Sequence, residues 1–233
     1  MEIKELLVDG STKKIYATNQ SDQIIVAFID ADSKGKKKDT AEIAEINNAV
    51  SAFLFDYLES YNVPTHFSKK LDSKSFLARK MEMVPMVVSV YNIASGDLAE
   101  RLGIESGRVL EYPIVEMYYK DDKRKLPMIN EYHAYALGLC ERKDMTSIQR
   151  IATKVNAVLK SFFDRRNLKL INFSLEFGRA HHQILLGDEM SLDSMNIWLV
   201  KEDGSFEQVP EGNQKRKEDY QKLKARILGE DKS

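Results

Sequence analysis

The sequence predicts an α+β fold with antiparallel sheets and two lobes. The first observation is a run of three short apolar segments, residues 5–8, 14–18 and 23–29, which polar turns separate. The second is a change to three- and four-residue apolar spacing over residues 39–60, which predicts an amphipathic helix. The third is that strand-like and helix-like segments both occur in the second half of the chain. Such a mixture favours sheets covered by helices on one face.

We expect a strand-rich lobe with one helix in residues 1–85 and a larger mixed lobe in residues 86–233. In the first lobe, Asp9-Gly10 is a strong hairpin signal between the first two strands. Asn62 and Pro64 are expected to end the helix. Strands resume at residues 76–81 and 84–91, and Pro85 between them suggests a break.

The second lobe begins with a predicted strand over residues 113–119. Thr146 and Gln149 match a capping box at the start of a second amphipathic helix. A strand over residues 169–177, a turn over 178–182 and a returning strand over 183–186 follow. A charged helix at residues 213–227 closes the chain.

Composition narrows the class of protein. The chain has 233 residues with 35 Lys+Arg and 36 Asp+Glu, so it has no basic excess for binding nucleic acid. Residues 81–94 form the richest apolar stretch, which is too short and too polar for a membrane span. The single cysteine excludes an internal disulfide. With no signal-peptide pattern visible, we expect a cytoplasmic protein that binds neither nucleic acid nor membranes.

Two carboxylates, Glu176 and Asp188, occupy the two arms of the predicted hairpin and are candidates for a metal site. Paired carboxylates on a rigid sheet suit Mg²⁺, with nucleotide phosphates supplying further oxygens. Taken alone, their spacing is more typical of a pair of exposed strand carboxylates. Lys13 follows the glycine turn at Gly10, where backbone N–H groups and an ammonium can contact phosphates. Taken alone, this pattern favours an ordinary surface turn with solvated lysines.

Several sequence blocks, in this order along the chain, resemble those of the SAICAR synthetases of purine biosynthesis. These enzymes use ATP to join a phosphoribosyl-aminoimidazole carboxylate to aspartate. The resemblance covers most of the chain and rests on these blocks: Lys13-Lys14-Ile15-Tyr16, Asn47-Asn48-Ala49-Val50-Ser51, Val63-Pro64-Thr65-His66-Phe67, Asn92-Ile93-Ala94-Ser95-Gly96, Arg101-Leu102-Gly103-Ile104, Pro113-Ile114-Val115-Glu116, Leu175-Glu176-Phe177-Gly178 and Asp188-Glu189-Met190-Ser191.

The resemblance implies an ATP-dependent ligase with an ATP cleft between two lobes. A carboxylate is activated as an acyl phosphate and an amine then attacks it, so both substrates are small molecules. Lys13, Glu176 and Asp188 match catalytic residues, the two carboxylates as Mg²⁺ ligands. The hinge that receives adenine matches residues 79–86, and we expect nucleotide contacts from Lys80, Met81 and Met83. Family members often self-associate, and this is left open here.

The chain departs from the family pattern mainly in the acceptor pocket, which we expect to contain six residues: Tyr91, Asn92, Asp97, Tyr132, Ser174 and Asn196. Tyr91, Asp97 and Asn196 replace residues that contact the ribose phosphate in the family, and Tyr132 replaces an aspartate. Ser174 and Ser11 replace lysines. Because charge-assisted contacts to phosphate are lost, we expect a ligase whose acceptor lacks the ribose phosphate.

Three other hypotheses stay open at this point. The chain could be a genuine SAICAR synthetase with unusual residues, which the overall similarity favours. It could be a non-catalytic ATP-binding protein, which the lost lysines favour. A kinase-like cleft also allows phosphorylation of a hydroxyl group, although no residue points to it.

Overall fold

The computed structural model describes residues 2–30, 42–121, 123, 125–210 and 214–230. In this part of the chain the first sheet has five antiparallel strands in the order β1-β2-β3-β5-β4. Its strands are β1 (Ile3–Asp9), β2 (Lys13–Thr18), β3 (Gln23–Phe28), β4 (Phe67–Lys70) and β5 (Ser75–Arg79). The hairpin predicted at Asp9-Gly10 connects β1 and β2, whose last pair is Asp9 with Lys14.

The second sheet has seven antiparallel strands, with β12-β11-β9-β6-β7-β8 in order and β10 paired to β9. They are β6 (Glu82–Ile93), β7 (Val109–Tyr119), β8 (Met128–Ile129), β9 (Leu168–Ala180), β10 (Gln183–Gly187), β11 (Met195–Val200) and β12 (Phe206–Glu207). The two sheets and their helices confirm the predicted α+β fold with antiparallel sheets.

Five helices are described: α1 (Ile43–Ser60), α2 (Gly96–Leu102), α3 (Glu131–Ala136), α4 (Arg142–Asp164) and α5 (Lys217–Leu228). The apolar side of α1 packs on the first sheet, and that of α4 packs on β9 and β6. Among the described residues, no helix combines the length and apolar character needed to span a bilayer.

Helix α1 illustrates how the predicted apolar spacing becomes core. Val50, Leu54 and Leu58 recur at four-residue spacing and are fully buried. The helix ends as predicted before Asn62, which adopts a left-handed backbone with φ of 57°. Residues 39–41, where the helix is predicted to begin, lie outside the described residues.

Pro85 does not separate two strands, because β6 runs through it from Glu82 to Ile93. Pro85 has no N–H to donate, but it lies where the pairing of β6 with β9 is interrupted, between Met83 and Val87. The regular part of this pairing therefore loses no hydrogen bond. The predicted lobe boundary at residue 85 falls inside this strand.

Two local predictions are wrong. Helix α4 begins at Arg142, and the Thr146 hydroxyl donates to the Arg142 carbonyl within the helix instead of capping it. The first turn of α4 contains buried Asp144, which forms an ion pair with Arg179 of β9. The sequence alone does not show this contact. The hairpin turn is also shorter than predicted, because β9 continues through Gly178 to Ala180.

That turn consists of two histidines in left-handed conformations, with φ of 47° at His181 and 64° at His182. Two positive φ values between paired strands are typical of a type I′ turn, which Asn-Gly fits best. We expect the double variant His181→Asn, His182→Gly to be more stable by about 1–2 kcal/mol, because it relieves this backbone strain. Urea unfolding measures the change. The matched variant with alanine at both positions keeps the strain, and equal stability of the two variants would contradict the prediction.

Candidate active site

The first feature of the site is Lys13, at the start of β2, which joins the two sheets. Its Nζ donates to Asp188 Oδ2 at 2.5 Å and to Glu189 Oε1 at 2.6 Å. Both carboxylates follow β10 of the second sheet. Burial lowers the pKa of Lys13, but Glu189 and Asp188 outweigh that effect and the pKa is raised. Lys13 therefore stays protonated at neutral pH.

Glu189 is the more enclosed of the two carboxylates. Its side chain is 9% exposed, against 20% for Asp188, and its second oxygen accepts a hydrogen bond from the Ser191 hydroxyl. Burial raises the pKa of Glu189, and Lys13 opposes this shift. Asp188 contacts Lys13 through Oδ2 and adopts a left-handed backbone with φ of 60°.

Glu176 lies beside Asp188, because Gly187 pairs with Glu176 across β10 and β9. Burial raises the pKa of Glu176, and repulsion by the Asp188 carboxylate raises it further. Both oxygens of Glu176 accept from Lys120 Nζ at 2.7 Å. Two carboxylates that repel each other, each paired with a lysine, form a site where phosphate oxygens and a divalent cation can replace the lysine contacts.

No group of three or more His, Cys, Asp or Glu that could hold a metal occurs within the described ranges. The third carboxylate nearby, Glu189, is held by Lys13 and Ser191, which leaves the predicted ligands Glu176 and Asp188 as a pair of carboxylates. This number fits Mg²⁺, which is bound by one or two carboxylates while substrate phosphates and water complete its coordination.

The predicted hinge connects β5 of the first sheet to β6 of the second. Met81 packs against Gly178 and Gly187, and a Cβ on Gly178 would lie 2.7 Å from Met81 Cβ. Met83 pairs with Gly178 and approaches Gly187. Lys80 is exposed and its backbone N–H donates to the Asp22 carbonyl. The hinge thus places two methionine side chains beside Gly178 and Gly187, on the strands that carry the carboxylates.

Three of the residues predicted for the acceptor pocket lie on one face of the second sheet. Across β6, β9 and β11, Tyr91 pairs with Asn172, and Asn172 pairs with Asn196. The next row pairs Ser89 with Ser174, whose hydroxyls are 3.0 Å apart. Paired residues and residues two apart share a face of a sheet. Tyr91, Ser174 and Asn196 therefore share the face of Glu176.

A charged network borders this face on β7. Arg101 of α2 donates to both oxygens of Glu116 at 2.8 and 3.0 Å, and the Tyr118 hydroxyl donates to the same carboxylate. Tyr118 also hydrogen-bonds Tyr91, whose pKa burial raises. Arg101 contacts Asp97 more weakly, at 3.4 Å.

The other predicted pocket residues lie outside this face. Asn92 sits where the β6–β7 register shifts, and it exchanges two amide hydrogen bonds with Asn156 of α4 at 2.8 and 3.0 Å. Asp97 is 85% exposed on α2, and Tyr132 is 67% exposed on α3.

Sequence reasoning missed Lys120 and Glu189. Lys120 pairs with Glu176, and Glu189 is the second carboxylate that contacts Lys13. For Lys120 a signal exists, because Glu116, Tyr118 and Lys120 alternate along the end of β7 and point to one face. Glu189 directly follows Asp188, but only the fold shows that both carboxylates reach the same lysine.

The fold and the site together define a class: a two-sheet α+β protein with a lysine–carboxylate site at the junction of its sheets. The sequence profile of the SAICAR synthetase family matches residues 6–229, and the chain belongs to this family. The phosphoribosylaminoimidazole-succinocarboxamide synthase of Chlorobium limicola is 43% identical over 201 residues, 85% of each chain. That of Clostridium botulinum is 41% identical over 85% of this chain and 86% of its own.

Solved structures agree. A SAICAR synthetase (Type-2) in complex with ADP has a TM-score of 0.86 at 32% identity and covers 98% of this chain and 100% of its own. SAICAR synthetase from Pyrococcus horikoshii has a TM-score of 0.81 at 32% identity, over 95% and 99% of the two chains. Membership of this family makes the chain an ATP-dependent, amide-forming ligase.

The expectation of an acceptor without the ribose phosphate is wrong. Relatives 40–43% identical over most of the chain are named phosphoribosylaminoimidazole-succinocarboxamide synthases. Their name includes the phosphoribosyl group that the expectation had excluded from the acceptor. The expectation weighed three substituted positions in isolation. In the structure, hydroxyl and amide groups from three strands share one face of the second sheet.

Lys13→Met is expected to lower the free energy of unfolding by about 3 kcal/mol at pH 7.5, because Glu189 then stays buried without its cation. The loss should be smaller at pH 5.5. Burial raises the folded-state pKa of Glu189, so the folded variant regains stability by taking up a proton as pH falls. Urea unfolding at both pH values measures this.

The control is Lys14→Met, because Lys14 forms a more exposed ion pair with Asp9. Its effect should stay within about 0.5 kcal/mol. A loss for Lys13→Met that matches the control, or that is the same at both pH values, would contradict the assignment.

Proposed function

We propose that this protein is a SAICAR synthetase. It would use ATP to join a carboxylated aminoimidazole ribotide to aspartate, with release of ADP and phosphate. The supporting observation is the Lys13–Asp188–Glu189 cluster, with Glu176 beside it, in a chain of this family. The name of the relatives supports the same substrates.

The nucleotide would lie between the sheets, with adenine against Met81 and Met83 and the phosphates toward Lys13. The ADP complex of a 32% identical relative supports this placement. Glu176 and Asp188 would hold Mg²⁺, since their number and mutual repulsion suit a divalent cation. A bound Mg²⁺ would supply positive charge to the phosphate oxygens during transfer.

In this scheme, the protonated Lys13 stabilises charge on the transferred phosphoryl group. When Asp188 turns to the metal, Glu189 keeps Lys13 in place, because its other oxygen is fixed by Ser191. Lys120 would move from Glu176 to the phosphates. The substrate carboxylate attacks the γ-phosphoryl group to give an acyl phosphate, and the aspartate amine then displaces phosphate.

The ribotide would lie on the face that contains Tyr91, Ser174 and Asn196, whose neutral groups can hydrogen-bond sugar and phosphate oxygens. Arg101 is the cation at the edge of that face. Asp97 and Tyr132 would contact substrate from its exposed rim, and Asn92 would contribute by fixing β6 to α4. Cytoplasmic location and self-association stay predictions.

The test is incubation of the protein with Mg·ATP, aspartate and the carboxylated aminoimidazole ribotide, followed by mass spectrometry. We expect SAICAR and ADP in equal amounts. Asp188→Asn should lower the rate at least about a hundredfold, because it removes a carboxylate that faces the metal. The exposed Asp203→Asn is the control and should leave the rate unchanged. Absence of SAICAR with wild-type protein that binds Mg·ADP would overturn the proposal.

Lys120→Met should lower kcat about tenfold or more, because it removes a cation beside Glu176. Lys123→Met, three residues along the same loop, is the matched control and should leave kcat unchanged. Steady-state rates of ADP release measure both variants. Equal rates for the two would remove Lys120 from the proposed machinery.

A further inference from the structure

His66 is a buried imidazole beneath the nucleotide site for which the proposed reaction gives no role. It is 2% exposed, and its ring meets the edges of Phe55 and Phe76 with centroids 5.3 and 5.7 Å away. Burial lowers the pKa of His66 to about 4, so the ring is neutral near pH 7.

Packing alone does not explain a histidine at this position. Its Nε2 is buried without a hydrogen-bond partner among the described residues. A buried polar atom without a partner costs about 1–3 kcal/mol. The surroundings are aromatic, so a phenylalanine would fill the same space without that cost. Residues that reduce stability in this way are expected at functional sites.

The other ring nitrogen faces the turn that leads to Asp188. A Cβ on Gly187 would lie 3.7 Å from His66 Nδ1. The ring also lies against the backbone of Asp188. A neutral imidazole can donate a hydrogen bond from Nδ1 to a backbone carbonyl oxygen at this place. Asp188 has a left-handed backbone, which a residue with a Cβ adopts only when its surroundings hold it there.

The backbone around His66 holds the same turn from the first sheet. His66 N–H donates to the Leu186 carbonyl at 2.8 Å, and Leu186 N–H donates to the Pro64 carbonyl at 2.9 Å. Thr65 and Leu186 form a parallel bridge between the two sheets. The chain around His66 thus holds the backbone of the turn that leads to Asp188, and Lys13 holds the Asp188 carboxylate.

We propose that His66 is a positioning residue that holds the Asp188 turn so that the carboxylate faces the Mg·nucleotide. This inference rests on the proposed function, which makes Asp188 a metal ligand. His66 itself touches neither metal nor substrate. Groups that orient metal ligands in this way typically change metal affinity 10- to 100-fold when they are replaced, about the range expected here.

The test compares His66→Phe, which keeps the ring and loses the nitrogen, with His66→Asn, whose amide N–H can replace Nδ1. Calorimetry gives the affinity for ADP with and without Mg²⁺, and thermal unfolding without ligand gives Tm. For His66→Phe we expect a Tm equal to or above wild type, a fall of about tenfold or more in ADP affinity with Mg²⁺, and no change without Mg²⁺. His66→Asn should restore most of the Mg²⁺ effect.

The control is Phe76→Leu, which alters the same aromatic cluster without touching Asp188. It should lower Tm and keep the full Mg²⁺ effect, which is the reverse pattern. Wild-type Mg²⁺ dependence in His66→Phe would overturn the proposal, as would wild-type protein whose ADP affinity ignores Mg²⁺. If the variants show the expected changes in Mg²⁺-dependent ADP affinity but the wild-type protein forms no SAICAR, the role of His66 is sustained and only the proposed activity is refuted.

Discussion

Lys13 connects the two sheets through a single buried ammonium. Its two carboxylate partners leave β10 of the second sheet, and Lys13 itself begins β2 of the first. Unpaired, each of these charges would be costly to bury, so the contact fixes how close the sheets approach at this point. The same groups would bind the polyphosphate, so substrate binding would rearrange the interaction that joins the two sheets.

Antiparallel register of the second sheet is the other constraint on the site. It sets Tyr91, Asn172 and Asn196 in one row and Ser89 and Ser174 in the next. The opposite face is closed by α4, so only one face is open to substrate. If the acceptor binds on this face, rows of hydroxyl and amide groups would give it many weak contacts, so that the replaced family residues change only part of them.

Much of the first sheet and both long helices could be predicted from the sequence, because period-two and helical apolar patterns are local. The sequence also identified Lys13, Glu176 and Asp188, but through resemblance to a family. The start of α4 was missed because the Asp144–Arg179 ion pair, which stabilises its first turn, joins residues far apart in sequence. The length of the His181-His182 turn could not be predicted, because two histidines are not among the residue pairs that signal a type I′ turn.

By itself the sequence determined the long helices, most of the long strands and the family to which the chain belongs, since these are encoded in the order of residues. Only the tertiary structure decided that Lys120 and Glu189 pair with the site, that Asn92 faces α4 and that His66 lies under Asp188. The physical reason is that alternation shows which residues share a face of one strand, whereas sheet order and register decide which strands lie beside it.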